Sequence, residues 1–369
     1  NRIATVLQVT RGNFGGPLKF AADKLPDGIT MHAAEMPPNI DRFPVVFEAK
    51  PEAELASALV DVSVAHSDAK KNIRGQFGHT VEMVRGPGNR IFYRTEVDRL
   101  AVAVTAPVPF RIEIDTPPTA ILQRGSLNLK VKAIRDEGFD NAITLRLPWK
   151  PPGVSSAGTI SMPKGKSEID YPLTANSSAA VGTWHLAVLG EANTKTGPTI
   201  VSSALTELRV EQPYVNIKIE MAAIERGQSG DMLCTVEQLR PFDGEAEISL
   251  SGLPAHTSTE PRKITKETKE LIFPIASTKD AQARTSKTLF TAIRIPWNGH
   301  LLRQSAGSGG QLRIDNPPKP RKNAPPKPKP VAAKKEESKT KPKKPLSRLE
   351  KLRLIAKERA DERAASATP

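Results

Sequence analysis

The sequence predicts an all-β protein made of three tandem β-sandwich repeats, the first lacking its N-terminal strand, followed by a disordered basic tail with one short helix. Three observations predict it. One strand layout recurs three times at constant spacing. Apolar and polar residues alternate with period two inside the recurring segments, so each strand has one buried and one wet face. The 369 residues hold 33 prolines and 24 glycines, punctuation that suits strands and turns better than long helices. A hydrophobic content of 38% with only 5% aromatics supports several small cores and not one large one.

The repeat is a strand, a turn containing Phe, a second strand ending near Leu-Pro, a loop, and a later strand with an apolar anchor. In the first copy Val6-Leu7-Gln8-Val9 leads to Asn13-Phe14-Gly15-Gly16, then Leu18-Lys19-Phe20, Leu25-Pro26 and Val45-Val46-Phe47-Glu48-Ala49. In the second, Leu127 to Val131 leads to Gly138-Phe139-Asp140-Asn141, then Ile143 to Pro148 and Ile169 to Ala175. In the third, Met232 to Val236 leads to Phe242-Asp243-Gly244, then Ala246 to Leu250, Leu253-Pro254 and Leu271 to Ala276. From turn Phe to anchor (Phe47, Leu173, Ile275) the separations are 33, 34 and 33 residues. A unit of about 100 residues with short strands and regular turns is typical of an immunoglobulin-like module.

These landmarks divide the chain into 1–112, 113–211 and 212–316, then a Pro/Lys-rich disordered linker at 317–345 and a short basic amphipathic helix with the chain end at 346–369. The first unit carries an insertion at 67–99, in which Gly86-Pro87-Gly88-Asn89 turns a hairpin between Val81–Val84 and Ile91–Tyr93. Alternating strands close the copies at Leu100–Val104, Leu205–Val210 and Gln311–Ile314. The second and third copies open with extra strands, Thr119–Leu122 and Val215–Ile219, trailed by Arg124-Gly125 and Arg226-Gly227. The first has no counterpart, because Asn1 falls almost at its second strand. The expectation is a C-terminal portion of a longer protein, or a mis-started chain, whose first sandwich exposes an unpaired edge. Thr116-Pro117-Pro118 and Gln212-Pro213 are expected to make short, stiff junctions.

The run Ile169-Asp170-Tyr171-Pro172-Leu173-Thr174-Ala175, then Ala179-Ala180-Val181-Gly182-Thr183-Trp184 and Leu186-Ala187-Val188, resembles the immunoglobulin-like (Big or NEW3-type) modules of large exported proteins of planctomycete-type bacteria. Those proteins often also carry pre-peptidase C-terminal domains. Gly138-Phe139-Asp140 with Leu147-Pro148 and Gly153-Val154 is similar to the same pattern. The likeness covers about 1–316 and is clearest in the second copy; the first and third lack the Ala-Val-Gly-Thr element. It implies an exported or cell-envelope location and an accessory role, with no catalytic residues to carry over.

The net charge of +14 is uneven. Residues 317–369 hold 17 Lys or Arg against six Asp or Glu, so the rest of the chain carries only +3 and need not bind polyanions. The tail has two readings, a solvated linker or an attachment to an anionic partner. In the second, Lys327, Lys329, Lys334, Lys335, Lys341, Lys343, Lys344, Arg348, Lys351 and Arg353 would make salt-sensitive contacts with nucleic acid, another anionic polymer or a membrane surface. The tail has no aromatic residue, so base stacking is not available to it.

Cys234 is the single cysteine, expected as a small core residue, and no intramolecular disulfide or cysteine metal site can form. The six histidines (His32, His66, His79, His185, His256, His300) form no local metal pair, and no HExxH, GxSxG or phosphate loop occurs. Asp136, Glu137, Asp140 and Asn141 either gather around calcium or make an ordinary turn. The turn is favoured, because the third copy keeps only Asp243 and Glu245 there. Trp184 is expected in the core, while Trp149, between Pro148 and Lys150-Pro151-Pro152, is expected to reach solvent and is a candidate for stacking on sugar. Trp297 is the remaining tryptophan. No apolar segment is long enough to cross a membrane as a helix, and no signal peptide is visible.

The function expected is a non-catalytic accessory, spacer or adhesion-type binding module, without cofactor or small-molecule substrate, contacting a protein or glycan surface. The alternatives are a binder of nucleic acid or another anionic polymer through the tail, and the C-terminal accessory region of an enzyme, such as a peptidase, whose catalytic domain lies upstream.

Overall fold

The computed structural model describes residues 1–318. The linker from Lys319 onward, the helix at 346–369 and every basic residue named for the tail lie outside the described residues. Residues 1–317 cluster as one compact unit built almost wholly of strands.

The first sandwich contains β1 (Arg2–Gln8), β2 (Leu18–Asp23), β3 (Ile29–His32), β4 (Arg42–Ala49), β5 (Ser57–His66), β6 (Arg74–Gln76), β7 (His79–Arg85), β8 (Ile91–Val97) and β9 (Leu100–Ala103). One sheet runs β1-β4-β3; the other runs β2-β5-β6, with β9 also on β5. Between them lie Leu18, Met36 and Phe43, with Phe14 of the repeat turn packed against this cluster. β7 and β8 pair only with each other and stand off as a hairpin without a buried residue.

The second contains β10 (Phe110–Ile114), β11 (Ile121–Leu122), β12 (Gly125–Arg135), β13 (Ile143–Arg146), β14 (Val154–Ser156), β15 (Ile160–Met162), β16 (Glu168–Ala175), β17 (Gly182–Leu186), β18 (Leu189–Thr194), β19 (Gly197–Ser202) and β20 (Thr206–Glu211). Its first sheet is β10-β12-β16-β14, and the opposite layer is β15-β13-β18-β19 with the ladder β11-β20-β17. Strict alternation along β12 and β16 buries Leu127, Leu129 and Val131 against Tyr171 and Leu173.

The third contains β21 (Val215–Ile219), β22 (Ala222–Glu225), β23 (Ser229–Gln238), β24 (Ala246–Ser251), β25 (Thr257–Ser258), β26 (Arg262–Ile264), β27 (Glu270–Ser277), β28 (Thr285–Trp297) and β29 (His300–Asp315). The sheet β21-β23-β27-β25 repeats the order β10-β12-β16-β14 strand for strand, and β1-β4-β3 matches its last three members. Among the described residues, the first sandwich therefore has no strand on the outer edge of β1, where β10 and β21 sit on β12 and β23.

Strand equivalence corrects one expectation. Ile121–Leu122 is not the counterpart of Val215–Ile219. β11 runs parallel to β20 as β22 runs parallel to β29, whereas the counterpart of β21, which pairs β23, is β10, which pairs β12. β10 straddles the boundary expected at 112/113 and pairs wholly with β12 of the second sandwich. The proline pair after β10 hides it, because Pro117-Pro118 reads as the start of a module when it only carries the chain from one layer to the other.

The three anchors Phe47, Leu173 and Ile275 are all buried, on β4, β16 and β27, the strands that pair with β1, β12 and β23. The constant spacing thus marks one core position on the same strand of each sandwich.

Candidate binding surface

The side chains that the sequence offers for chemistry do not converge. Cys234 is fully buried in the third core, and burial pushes its thiol up to about 12, so it has little thiolate to offer. His66, also buried, is used locally: Nδ1 accepts from the Asp68 amide at 2.9 Å and Nε2 meets the Gly15 carbonyl at 3.1 Å. Asp140 pairs with Lys164 at 3.4 Å, and Asn141 donates to the Asn193 carbonyl at 2.8 Å, so these two turn residues face different partners. Among the described residues no group of three or more His, Cys, Asp or Glu is placed to hold a metal ion.

Trp149 departs from expectation. It does not stand free: its ring lies 5.8 Å from Phe43 of the first sandwich, edge on, and 6.0 Å from buried Trp184 of the second. The Pro148-Trp149 step reads as a solvent-facing loop because the sequence does not show that the first sandwich packs there. Close by, Ala4 and Val46 form a small buried cluster with Ala187 and Leu189. Trp184 is in the core as expected, with its indole N–H donating to the Ala180 carbonyl at 2.8 Å. Trp297 lies under Arg209, 5.9 Å from ring centre to guanidinium carbon.

The second and third sandwiches share a sheet. β12 joins β29 through Gly125 opposite Gln304 and Ser126 opposite Arg303, giving one continuous nine-stranded sheet. The Ser305 amide donates to the Arg124 carbonyl at 2.7 Å. Arg124 takes a left-handed φ of 59° at this turn, and Gly125 needs its missing side chain. A Cβ there would sit 2.4 Å from the Arg303 carbonyl oxygen. On the inner face the side chain of Gln304, 2% exposed, accepts from the Tyr214 amide at 2.9 Å and donates to the Val215 carbonyl. Arg240 reinforces the joint, bonding Glu211 at 2.8 Å and lying over Tyr214 at 4.4 Å.

On the outer face, register aligns one polar residue from each of seven strands: Ser155, Thr174, Ser126, Arg303, Arg294, Glu247 and Lys263. Above this row opens a cleft of about 1100 Å³ whose lining includes Arg124, Arg294, Arg303, Ser126, Thr174, Ser177, Ser305, Ala292 and Phe290, and no carboxylate. Arg294 pairs with Glu247 at 2.9 Å outside the cleft. Sequence reasoning misses this surface. Its three arginines lie up to 179 positions apart and register alone brings them together. The one signal in the sequence is the Arg-Gly pair following β11.

A second exposed feature is the hairpin β7–β8, where Met83, Phe92 and Tyr93 are each more than half exposed.

No protein-family model matches the chain, and neither does any curated protein. Among solved structures, it is similar to fibronectin(III)-like modules of CbhA from Clostridium thermocellum, at 11% identity over 56% of this chain and 94% of that one, with a TM-score of 0.19. It is similar to the D0-D1 domain of intimin at 10% identity, over 55% of this chain and 97% of that one, with a TM-score of 0.20. It is also similar to the I9-I11 tandem of titin at 6% identity, over 86% and 94% of the two chains, with a TM-score of 0.20. At these scores the likeness carries no argument, and the architecture rests on the strand order described above.

Proposed function

We propose that this chain is a non-catalytic spacer and adhesion-type binding module of an exported or cell-envelope bacterial protein. The observation that carries the reading is the joint between the second and third sandwiches. Modules that only share a polypeptide are connected by linkers few contacts cross, and they move relative to one another. Here backbone hydrogen bonds lock one module to the next, and Arg240 of the third bonds Glu211 of the second. A lock of this kind serves an element that must hold separation and orientation. The hairpin β7–β8, with its exposed apolar side chains, supports a contacting role as well, since large exposed apolar patches mark interaction sites.

The test has two parts. Small-angle scattering of the full chain should fit the second and third sandwiches in one fixed arrangement; a broad ensemble of angles between them would overturn the spacer reading. Binding to isolated bacterial envelope fragments should survive removal of residues 317–369. Loss of all binding on that removal would favour the second reading, supported by the tail's 17 basic residues, of a polyanion binder held on a sandwich scaffold.

A further inference from the structure

We propose that the cleft between the second and third sandwiches binds a carboxylated glycan, an oligosaccharide bearing uronate groups. This deepens the adhesion reading by giving one surface a ligand class, and it rests on that reading.

Arg303 and Arg294 stand directly opposite each other on β29 and β28. Side chains so placed have Cβ atoms about 4.5–5.5 Å apart, and like charges there repel. Glu247 neutralises Arg294 only. Arg303 and Arg124 make no ion pair among the described residues, and no carboxylate lines the cleft. The unmatched charge is supplied by arginine, whose planar fork takes a carboxylate through two parallel hydrogen bonds.

The rest of the cleft suits a sugar. Ser126, Thr174, Ser177 and Ser305 present hydroxyls along it. Ala292 and Ser305, paired across β28 and β29, leave a small-residue floor. Phe290 is 37% exposed, four residues from Arg294 along β28. At roughly 3.3 Å per residue that is about 13 Å, room for two sugar rings between an apolar face and the arginines. Two other anionic polymers fit less well. An acidic peptide that adds a strand needs a free edge, yet at Ser126 β12 is paired on both sides. A nucleic acid needs successive stacking platforms, and Phe290 is the one aromatic side chain in the lining.

Calorimetry of the full chain with a galacturonate tetramer, a neutral galactose tetramer, tetraglutamate and a four-residue thymidylate tests this. The galacturonate tetramer alone should bind specifically, more weakly as salt rises. Arg303→Ser should weaken it at least tenfold and Arg294→Ser/Arg303→Ser should abolish it. Ser305→Tyr should also abolish it, by filling the floor while keeping all three arginines. Every variant keeps the tail, so tail binding is a constant background. Thermal midpoints should stay level or rise for Arg303→Ser, because an opposed charge is removed. Unchanged affinity in the double variant and Ser305→Tyr would overturn the proposal. So would equal affinity for tetraglutamate or thymidylate, or a lowered midpoint accompanying the lost binding in Arg303→Ser. Any of these leaves the spacer reading intact, because scattering tests that separately.

Discussion

The two joints of the array are made differently. The first sandwich meets the second through side chains: Phe43 against Trp149, and Ala4 and Val46 against Ala187 and Leu189. The second meets the third through backbone, with β12 hydrogen-bonded to β29 and the Ser305 amide donating to the Arg124 carbonyl. A side-chain contact can slide and repack at modest cost. A β-ladder cannot, because a slip of one residue sends every side chain to the opposite face. The second joint therefore specifies orientation, and the first mainly specifies proximity. Placing the arginine cleft over the second joint puts it where geometry is held most firmly.

The largest expected effect is at the side-chain joint. Phe43 is 1% exposed, belongs to the first core and touches Trp149. Phe43→Ala should cost about 3–5 kcal/mol. Hydrogen exchange read by sandwich should show protection lost in the first and retained in the third; equal loss in both would mean that the joints are not separate. Inside the third sandwich, next to the backbone joint, Gln304→Leu strands the Tyr214 amide and the Val215 carbonyl in a dry interior. At about 1–2 kcal/mol for each of the two orphaned groups, the expected cost is about 2–4 kcal/mol, seen as a lower thermal midpoint of the third sandwich. Gly125→Val should act on orientation more than on stability. Its Cβ collides with the Arg303 carbonyl across the seam and with the Leu122 carbonyl of its own sandwich, so the seam should part and scattering should show a wider spread of distances, with the second sandwich slightly destabilised but folded. An unchanged scattering profile would show that the seam does not set the angle.

The sandwiches are legible in the sequence because each is written locally. Period-two alternation, Phe-containing turns and one repeated spacing place β4, β16 and β27 within a few residues and find the hairpin β7–β8. The joints are not legible. Nothing in Gly125 or Gln304 announces a partner on another module, and Trp149 reads as exposed until Phe43 is set beside it. β10 is cut by the expected boundary for the same reason. Its alternation is clear, but which sandwich it joins depends on pairing with β12, and that is a long-range choice. The cleft combines both difficulties, since register between modules is what assembles Arg124, Arg294 and Arg303.

The smaller effects return to the first joint. Trp149→Ala removes a half-buried ring touching aromatics on both sides, each contact worth about 0.5–1.5 kcal/mol beyond area. A cost of about 2 kcal/mol is expected, with the first sandwich gaining freedom and the seam unaffected. The smallest effect is acid-dependent. Arg2, His32 and Glu48 line a small cavity with Ala204 and Leu205 of the second sandwich. The Arg2 hydrogen bond at 2.7 Å holds the Glu48 carboxyl below its ordinary value of 4.5, with His32 at 3.0 Å adding to it against desolvation. A lowered carboxyl stabilises the fold at pH above that ordinary value, and the stabilisation is lost as pH falls through the lowered one. The pair is partly open to solvent, so no more than about 1 kcal/mol is at stake. Glu48→Gln should flatten the acid limb of the first sandwich's stability and leave the third sandwich's unchanged. An acid limb equally steep in the variant would show that Glu48 is not what ties this joint to pH.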